Sequence, residues 1–319
     1  MRFLKAIAVA SFLISINLSA QVEFRNKEVS ITNENDVYLL MNFDKYYSNG
    51  VFLNYRWSPR EDSTKGGVKR VYTLGLSHRF WTPQDVTITR SQFYYRPYAG
   101  MLNVSYRDAS FYGENSRVMY GVDAGVTGKP SGAQAFQEGY HDLFGFPDPE
   151  GWDTQISTGF VADFKLEFNY QFQLKPSEID LVTSTSGSLG NAFTNLRQRV
   201  DLRFGNLKSL RHSSFFNALI GEGSDAIEKH SYFFAGYGIE AVGHNVTIEG
   251  HVFGDDSPIT EEVVPWVRHL RLGFVTNTQH STFRVVYNWL SREVKTRAGR
   301  HSYISFQLDL RLPFKGATP

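Results

Sequence analysis

The sequence contains no cysteine among its 319 residues. Disulfide frameworks, thiolate catalysis and cysteine-based metal sites are therefore excluded. The chain also lacks a run of about 18 unbroken apolar residues, so no helical membrane span is expected. Its 33 Lys and Arg residues nearly balance its 32 Asp and Glu residues, for a formal net charge of +1. This balance gives no bulk attraction to nucleic acid, which is not an expected partner.

The N-terminal segment has the features of an export signal. Arg2 and Lys5 precede an apolar stretch over residues 6–16, and the segment ends at Ala20, a small residue of the type found at cleavage points. The alternative, a membrane anchor, is disfavoured because the apolar stretch is too short to span a bilayer. We predict a signal peptide over residues 1–20 and a single exported domain over residues 21–319.

Most of the remaining chain alternates between apolar and polar residues, which is the period of a β-strand. In the candidate strand nearest the C-terminus, residues 304, 306, 308, 310 and 312 are apolar, and residues 305, 307, 309 and 311 are polar. Such strands fit a transmembrane barrel with its charges in the lumen. They also fit a secreted sandwich with its charges in water.

Three features favour the barrel: long strands, aromatic residues at strand ends, and the export signal. We therefore predict an all-β fold, a transmembrane antiparallel β-barrel in the cell outer membrane, and we expect a monomer. The candidate strands number about 12, which agrees with the even strand number of bacterial barrels. The mixed signs of the lumen charges predict that side chains fill the interior. Residues 206–229 are predicted to form a long periplasmic turn. The candidate strands are 28–35, 48–58, 70–80, 96–107, 116–126, 155–173, 177–187, 195–205, 230–242, 264–277, 281–291 and 301–314.

A short helix is predicted over residues 131–144, in an extracellular loop of the barrel. Its first residues have the spacing of a capping box, and Gly145 can close its C-terminus. Gln134, Gln137 and His141 form one row along this helix. His141 can act as a general base, since the pKa of histidine lies near 6.5, or it can be a loop histidine satisfied by water or backbone. The apolar side beside this row consists of Ala133, Phe136, Tyr140, Leu143 and Phe144.

Four further candidates fall at the same end of the predicted barrel. Asn35 and Asp36 close the first strand and offer the oxygen ligands that calcium takes, although Asn-Asp pairs are also common in turns. Ser48 can donate a hydrogen bond or act as a nucleophile, or can simply belong to a turn. Arg96 can bind an anionic headgroup such as phosphate, or can be an ordinary rim arginine.

The order of these motifs resembles the outer-membrane lipid A 3′-O-deacylase family (LpxR type). The resemblance runs through most of the mature chain and is strongest over residues 33–156. The motifs that carry it are Asn35-Asp36, Asp44-Lys-Tyr-Tyr-Ser-Asn-Gly50, Arg96-Pro-Tyr-Ala-Gly100, Gln134-x-x-Gln137-x-x-x-His141 and Gly151-Trp-Asp-x-x-Gln155.

The resemblance implies a twelve-stranded barrel that hydrolyses the ester holding acyl chains at the 3′ position of lipid A. Lipid A, or the lipopolysaccharide that contains it, would be the substrate, among membrane lipids. His141 would activate water and calcium would stabilise the oxyanion, with Asn35 and Asp36 as the calcium-side residues and the residues that orient the histidine. Ser48 would supply a hydroxyl, and Gln137 would line the helix and bind substrate.

The sequence departs from the family pattern in two places. Pro147 stands where the resemblance implies an acidic residue, with Asp148 and Glu150 nearby. Arg90 is the only basic residue over residues 81–95, where a basic cluster is implied. Two alternatives therefore stay open: a non-catalytic barrel of the same lineage, and an outer-membrane phospholipase with a serine nucleophile.

Overall fold

Twelve antiparallel strands close into a barrel, in which consecutive strands pair and the first pairs with the last. The computed structural model describes residues 24–39, 44–59 and 67–312. The strands are β1 (Lys27–Asn35), β2 (Tyr46–Trp57), β3 (Lys69–Thr82), β4 (Ala99–Tyr112), β5 (Ser116–Thr127), β6 (Gly159–Lys175), β7 (Ile179–Gly190), β8 (Phe193–Gly205), β9 (His230–Asn245), β10 (Trp266–Asn277), β11 (Ser281–Leu290) and β12 (His301–Leu312).

The predicted strand count is confirmed, and each candidate strand overlaps one observed strand. The predicted signal peptide and the last residues of the predicted final strand lie outside the described residues. Two α-helices, α1 (Ala133–Phe144) and α2 (Val246–Glu249), lie in loops. No helix in the described part is long and apolar enough to cross a membrane. Single 3-10 turns occur at Val37–Leu39, Ser91–Phe93, Lys129–Ser131, Trp152–Thr154, Leu210–His212, Ser214–Phe216 and Ser224–Ala226.

The alternation of each strand places apolar side chains outside the barrel and polar side chains inside it. In β1, for example, Val29 and Ile31 are exposed, whereas Glu28 and Ser30 are buried. A sandwich would bury the apolar face against a second sheet. The closed barrel with an exposed apolar face is the transmembrane arrangement.

Ion pairs fill the lumen, as the mixed lumen charges predict. Asp201 binds Arg271 at 2.7 Å and Arg199 at 3.0 Å, and Asp180 binds Arg203 at 2.6 Å. Buried charges of this kind are tolerated when each has a partner of opposite sign. The interior is thus a packed polar core and not a wide channel. A second network consists of Glu28, Arg56, Asp309 and Arg311.

The segment 206–229, which joins β8 to β9, folds back into the barrel and forms what we term the lumen plug. Leu210, Phe215 and Ile220 of the plug are buried in a cluster with Phe111 and Phe234 of the barrel wall. The long periplasmic turn predicted from the sequence is therefore a structural element that closes one end of the barrel.

Charged wall residues hold the lumen plug by hydrogen bonds. Arg203 donates to Ser213 Oγ at 3.1 Å, and Arg284 donates to the Ser214 carbonyl at 2.5 Å. Because Asp180 holds Arg203 from the other side, the plug depends on this buried ion pair.

Replacement of Asp180 by alanine is expected to lower the free energy of unfolding by about 3–5 kcal/mol, because Arg203 is left buried without its carboxylate. The measurement is a denaturant titration of the barrel in detergent. Glu178→Ala is the control, since it removes only the exposed pair with Lys175, whose side chains are 58% and 60% exposed. Equal effects of the two substitutions would contradict this account of the plug.

The two ends of the barrel differ in loop length, and this gives its orientation. At the end that carries α1, five of the six connections are long, over residues 36–45, 83–98, 128–158, 246–265 and 291–300, and the sixth is a turn at 191–192. The other end has three connections of only three residues, at 113–115, 176–178 and 278–280. Outer-membrane barrels have short periplasmic turns and longer extracellular loops, so α1 lies at the outer end.

Candidate active site

Helix α1 is bounded by glycines in the left-handed region. Gly132 precedes it with φ 71°, and Gly145 follows it with φ 72° and donates its N–H to the His141 carbonyl at 2.7 Å. The predicted C-terminus is confirmed. The predicted capping box is wrong, because Gly132 takes the N-cap position and Ser131 Oγ donates to the Gly128 carbonyl.

Helix α1 lies against the outer wall of the barrel. Its first residue, Ala133, meets Gly100 of β4 so closely that a Cβ there would lie 2.5 Å from the Ala133 side chain. One turn later, Phe136 packs on His78 and Phe80, with ring centroids 5.2 and 6.1 Å apart. Both rings continue the outward-facing row of β3. The helix therefore crosses the wall at the outer rim.

Two members of the polar row of α1, Gln137 and His141, are turned inward, whereas the third, Gln134, is exposed and much of the apolar side is turned outward. Gln137 and His141 are 1% and 3% exposed, whereas Phe136 and Leu143 are 42% and 75% exposed. In water this arrangement would be unfavourable, since burial of apolar surface is what stabilises surface helices. Beside a membrane-spanning wall, the exposed apolar side can face lipid acyl chains instead.

His141 is the centre of a buried hydrogen-bond network. Its Nε2 lies 2.9 Å from Asp44 Oδ2, and its Nδ1 contacts the Pro147 carbonyl. The Gln137 amide donates to the same Asp44 oxygen at 2.7 Å and accepts from the Trp152 indole N–H at 2.8 Å. The network thus joins α1, the loop between β1 and β2, and the segment after α1.

The network changes the pKa of His141. Burial lowers this pKa, but the hydrogen bonds to Asp44 and to the Pro147 carbonyl, together with the charges of Asp44 and Asp148, outweigh burial and leave it raised. The reason is that both ring nitrogens face oxygen acceptors, and only the doubly protonated ring can donate to both.

Asn35, Asp36 and Ser48 lie together at the rim, as the strand count predicts. Asn35 Oδ1 accepts from the Val37 N–H at 2.7 Å, which turns the chain as it leaves β1. The Asp36 N–H donates to the Ser48 carbonyl at 3.4 Å, and Asp36 Oδ2 accepts from the Lys45 N–H at 2.9 Å. Because Lys45 adjoins Asp44, these bonds bring Asp36 towards the His141 network.

Ser48 lies at a β-bulge. The pairing of β2 with β3 shifts register between Tyr47 and Asn49, and Ser48 is buried at that point. Bulges bend a strand and re-aim its side chains, and they are frequent beside active sites. The local irregularity therefore sets the direction of Ser48 at the rim.

Asp36 Oδ1 and Asn49 Oδ1 are buried at the rim and have no hydrogen-bond partner among the described residues. Asn49 pairs with Asn35 across β1 and β2, so its side chain lies next to the Asn35–Asp36 pair. Burial and the charge of Asp44 raise the pKa of Asp36 well above its ordinary value. Unsatisfied amide and carboxylate oxygens with excess negative charge form an environment that suits a hard cation.

Nitrogen and carboxylate ligands alone do not form a metal site here. Within the described ranges, no group of three or more His, Asp or Glu side chains is arranged to hold a metal ion. A cation at the rim would therefore need amide, carbonyl or water oxygens in addition to Asp36, and calcium accepts such mixed oxygen sets.

Arg96 is placed differently from the other candidates. It is fully buried, donates to Thr247 Oγ1 at 2.5 Å and forms an ion pair with Glu293 at 3.3 Å. Its partners belong to the loops after β9 and β11, whereas His141, Asp44 and Asp36 meet at β1 to β3. The proposed contact of Arg96 with substrate phosphate stays a prediction.

Sequence reasoning did not assign roles to Asp44, Asn49 or Trp152, although all three lie within quoted motifs. Asp44 contacts a residue 97 positions away, and no periodicity relates the two. The available signal was Pro147, which stands where the family resemblance implies an acidic residue and so raises the question of which carboxylate contacts His141.

Comparison with known proteins agrees with this architecture. A family model described as "Outer membrane protein LpxR" matches residues 6–312. Among solved structures, LpxR from Salmonella typhimurium is similar, with a TM-score of 0.71, 18% identity and coverage of 89% of this chain and 100% of that chain. The β domain of the Bordetella autotransporter BrkA follows at a TM-score of 0.44 and 12% identity, covering 91% and 100%. No curated protein sequence matches the chain.

Proposed function

The chain belongs to the LpxR family of outer-membrane proteins, and from this premise we propose that it is a lipid A deacylase. It would hydrolyse the ester that links an acyl chain to the 3′ position of lipid A, with water activated by His141. The observation that carries the proposal is a buried histidine–carboxylate network on the outer wall of the barrel, under a helix whose apolar side is exposed.

The location of His141 supports a lipid substrate. The described residues of the site lie beside the apolar wall at the outer rim, where α1 packs on β3 and β4. An acylated substrate could keep its chains in the outer leaflet against Phe136 and Leu143 while its ester reaches His141. Lipopolysaccharide occupies that leaflet, so substrate and site meet without extraction of the lipid.

His141 is suited to proton transfer. The Pro147 carbonyl fixes the proton on Nδ1, and Asp44 stabilises the positive ring that forms when Nε2 accepts a proton from water. The proton would later pass to the alkoxide that leaves from the sugar. Gln137 would act through its hydrogen bond to Asp44, and its predicted contact with substrate remains a proposal.

Asp36, Asn35 and Asn49 are the residues that would hold a calcium ion. Their oxygen donors fit this ion, and the two unsatisfied oxygens supply free lone pairs for it. When bound, calcium would supply a positive centre for the charge that develops on the ester carbonyl oxygen. Ser48 would direct its hydroxyl towards the same region.

The experiment is incubation of the purified barrel with lipid A and, separately, with phospholipid, followed by mass spectrometry of products. Loss of the 3′-linked acyl chain from lipid A alone is the expected result. Fatty acid release from phospholipid instead would favour the phospholipase alternative, for which Ser48→Ala would abolish release if Ser48 is the nucleophile. Absence of release from both would favour the non-catalytic barrel.

The pH dependence of the reaction follows from the raised pKa of His141. The general base must be unprotonated, so activity is expected to fall as the pH drops through a value above the ordinary 6.5 of histidine. The measurement is initial rate against pH at saturating calcium. A rate that stays constant from neutral pH to pH 5 would contradict the assignment of His141 as base.

A further inference from the structure

The two ring nitrogens of His141 face different kinds of acceptor. Nδ1 contacts the Pro147 carbonyl, which can only accept, so Nδ1 carries a proton in either charge state. Nε2 lies 2.9 Å from Asp44 Oδ2. When His141 is positively charged, Nε2 donates to this oxygen and the contact is an ion pair.

Neutral His141 cannot keep this contact. Its Nε2 then presents a lone pair to a carboxylate oxygen, and two acceptors repel unless a donor lies between them. The Gln137 amide is not that donor, because it donates to Asp44 at 2.7 Å, and the bond from Trp152 to its oxygen at 2.8 Å fixes its orientation towards Asp44 and not towards the His141 ring. A water molecule has two O–H groups and can donate one to each acceptor.

We infer that Asp44 and His141 together hold the attacking water, with Asp44 as the second acceptor. This inference rests on the proposed hydrolysis. In the contact observed, the two atoms lie 2.9 Å apart, which is too close for a water between them, so Asp44 must move away from neutral His141 to admit one. The Asp44 side chain is 18% exposed and lies in a loop, whereas the His141 side chain is 3% exposed, so Asp44 is the partner that moves. With one hydrogen on Nε2 and the other on Asp44, the water presents its lone pairs to the ester carbon.

The step balances without a further reactant. The water oxygen forms a bond to the ester carbon as its O–H proton passes to Nε2, and the carbonyl electron pair moves onto the carbonyl oxygen. Collapse of this intermediate breaks the bond to the sugar oxygen, which takes the proton back from Nε2. Asp44 keeps its charge throughout and closes onto the positive ring, which is the arrangement observed.

The same inference accounts for Pro147. The backbone carbonyl at this position orients the ring without any side-chain acid, and the carboxylate comes from the loop between β1 and β2 instead. Asp44 thus supplies, from the opposite side of the ring, the carboxylate that position 147 does not provide.

The test compares Asp44→Asn with Asp142→Asn, which removes the same charge from the exposed neighbour of His141. The amide of an asparagine at position 44 can donate directly to Nε2 and exclude water. We expect kcat for lipid A to fall about 100-fold, within the usual range for acid–base groups, with little change in KM. The acid limb of the pH profile should move to lower pH, because the carboxylate no longer raises the pKa of His141. Asp142→Asn should leave both unchanged.

Two outcomes would overturn the inference. One is an unchanged kcat and acid limb in Asp44→Asn, and the other is a loss of kcat with the acid limb unmoved, which a merely structural role would give. Asp44→Ala provides a second variant, and heat-modifiable migration on gels shows that each barrel is folded.

An NMR titration separates this inference from the proposed function. The His141 ring signals are those that disappear in His141→Gln, and their pKa can be followed without substrate. A lower pKa in Asp44→Asn than in the wild type is expected. An equal pKa would overturn the role of Asp44, whereas inactivity of the wild type towards lipid A would refute only the proposed reaction.

Discussion

Replacement of His141 by alanine is expected to lower the rate of acyl release from lipid A by about 10²–10⁴-fold, the range for loss of a general base. The polar side chains of the His141 network replace it poorly, since the Gln137 amide is not a base and a carboxylate such as that of Asp44 is a weaker base than imidazole. The measurement is the initial rate of fatty acid release by the purified variant.

Stability effects must be separated from catalysis in this test. His141 is buried, so its removal leaves Asp44 with Gln137 as its remaining partner in this network. Heat-modifiable migration shows whether the barrel is still folded, because the strands do not depend on α1 for closure. His212→Ala, in the lumen plug at the other end, is the matched histidine control. Equal loss in both variants would contradict a catalytic role for His141.

Removal of calcium, or replacement of Asp36 by asparagine, is expected to lower the rate by about 10²–10³-fold, the usual effect of losing oxyanion stabilisation. Asp36 Oδ1 is buried without a hydrogen-bond partner among the described residues, and burial and the charge of Asp44 raise the pKa of Asp36, so a bound cation would offset both effects. Protonation of Asp36 competes with cation binding, so the calcium concentration needed for half-maximal activity should rise as the pH falls.

Calcium binding can be measured separately from activity. Addition of calcium should raise the thermal midpoint of the wild-type barrel in detergent, because a ligand that binds only the folded state stabilises it. Asp36→Asn should lose this shift, and Asp85→Asn, in the loop between β3 and β4, should retain it. A wild-type protein that is fully active after exhaustive chelation and shows no shift would contradict the calcium site.

The barrel was predictable from the sequence because each strand carries its own signal. Along β6, β8 and β12, the alternation itself shows which side chains face lipid and which face the lumen, once the apolar face is assigned to lipid. The lumen plug was not predictable, because residues 206–229 have no period. They are held by residues of the barrel wall, such as Arg203 on β8 and Arg284 on β11, and no local pattern in the sequence links these residues to the plug.

The candidate site was predictable in part for similar reasons. His141 and Gln137 share a helical row, so local spacing brings them together, and the strand count places Asp36 and Ser48 at the same rim. Hydrophobicity could not predict which side of α1 faces the protein, since an apolar helix side that packs inward in water can face lipid beside a membrane. Asp44 was missed because its contact with His141 depends on how two loops meet.

The most direct test of the central claim is mass spectrometry of lipid A from a Gram-negative host that has no 3′-deacylase of its own. Expression of the wild-type chain should produce lipid A that lacks its 3′-linked acyl chain, and expression of His141→Ala at equal levels in the outer membrane should leave lipid A intact. An unchanged profile with the folded wild-type protein, or the same loss with His141→Ala, would contradict the account.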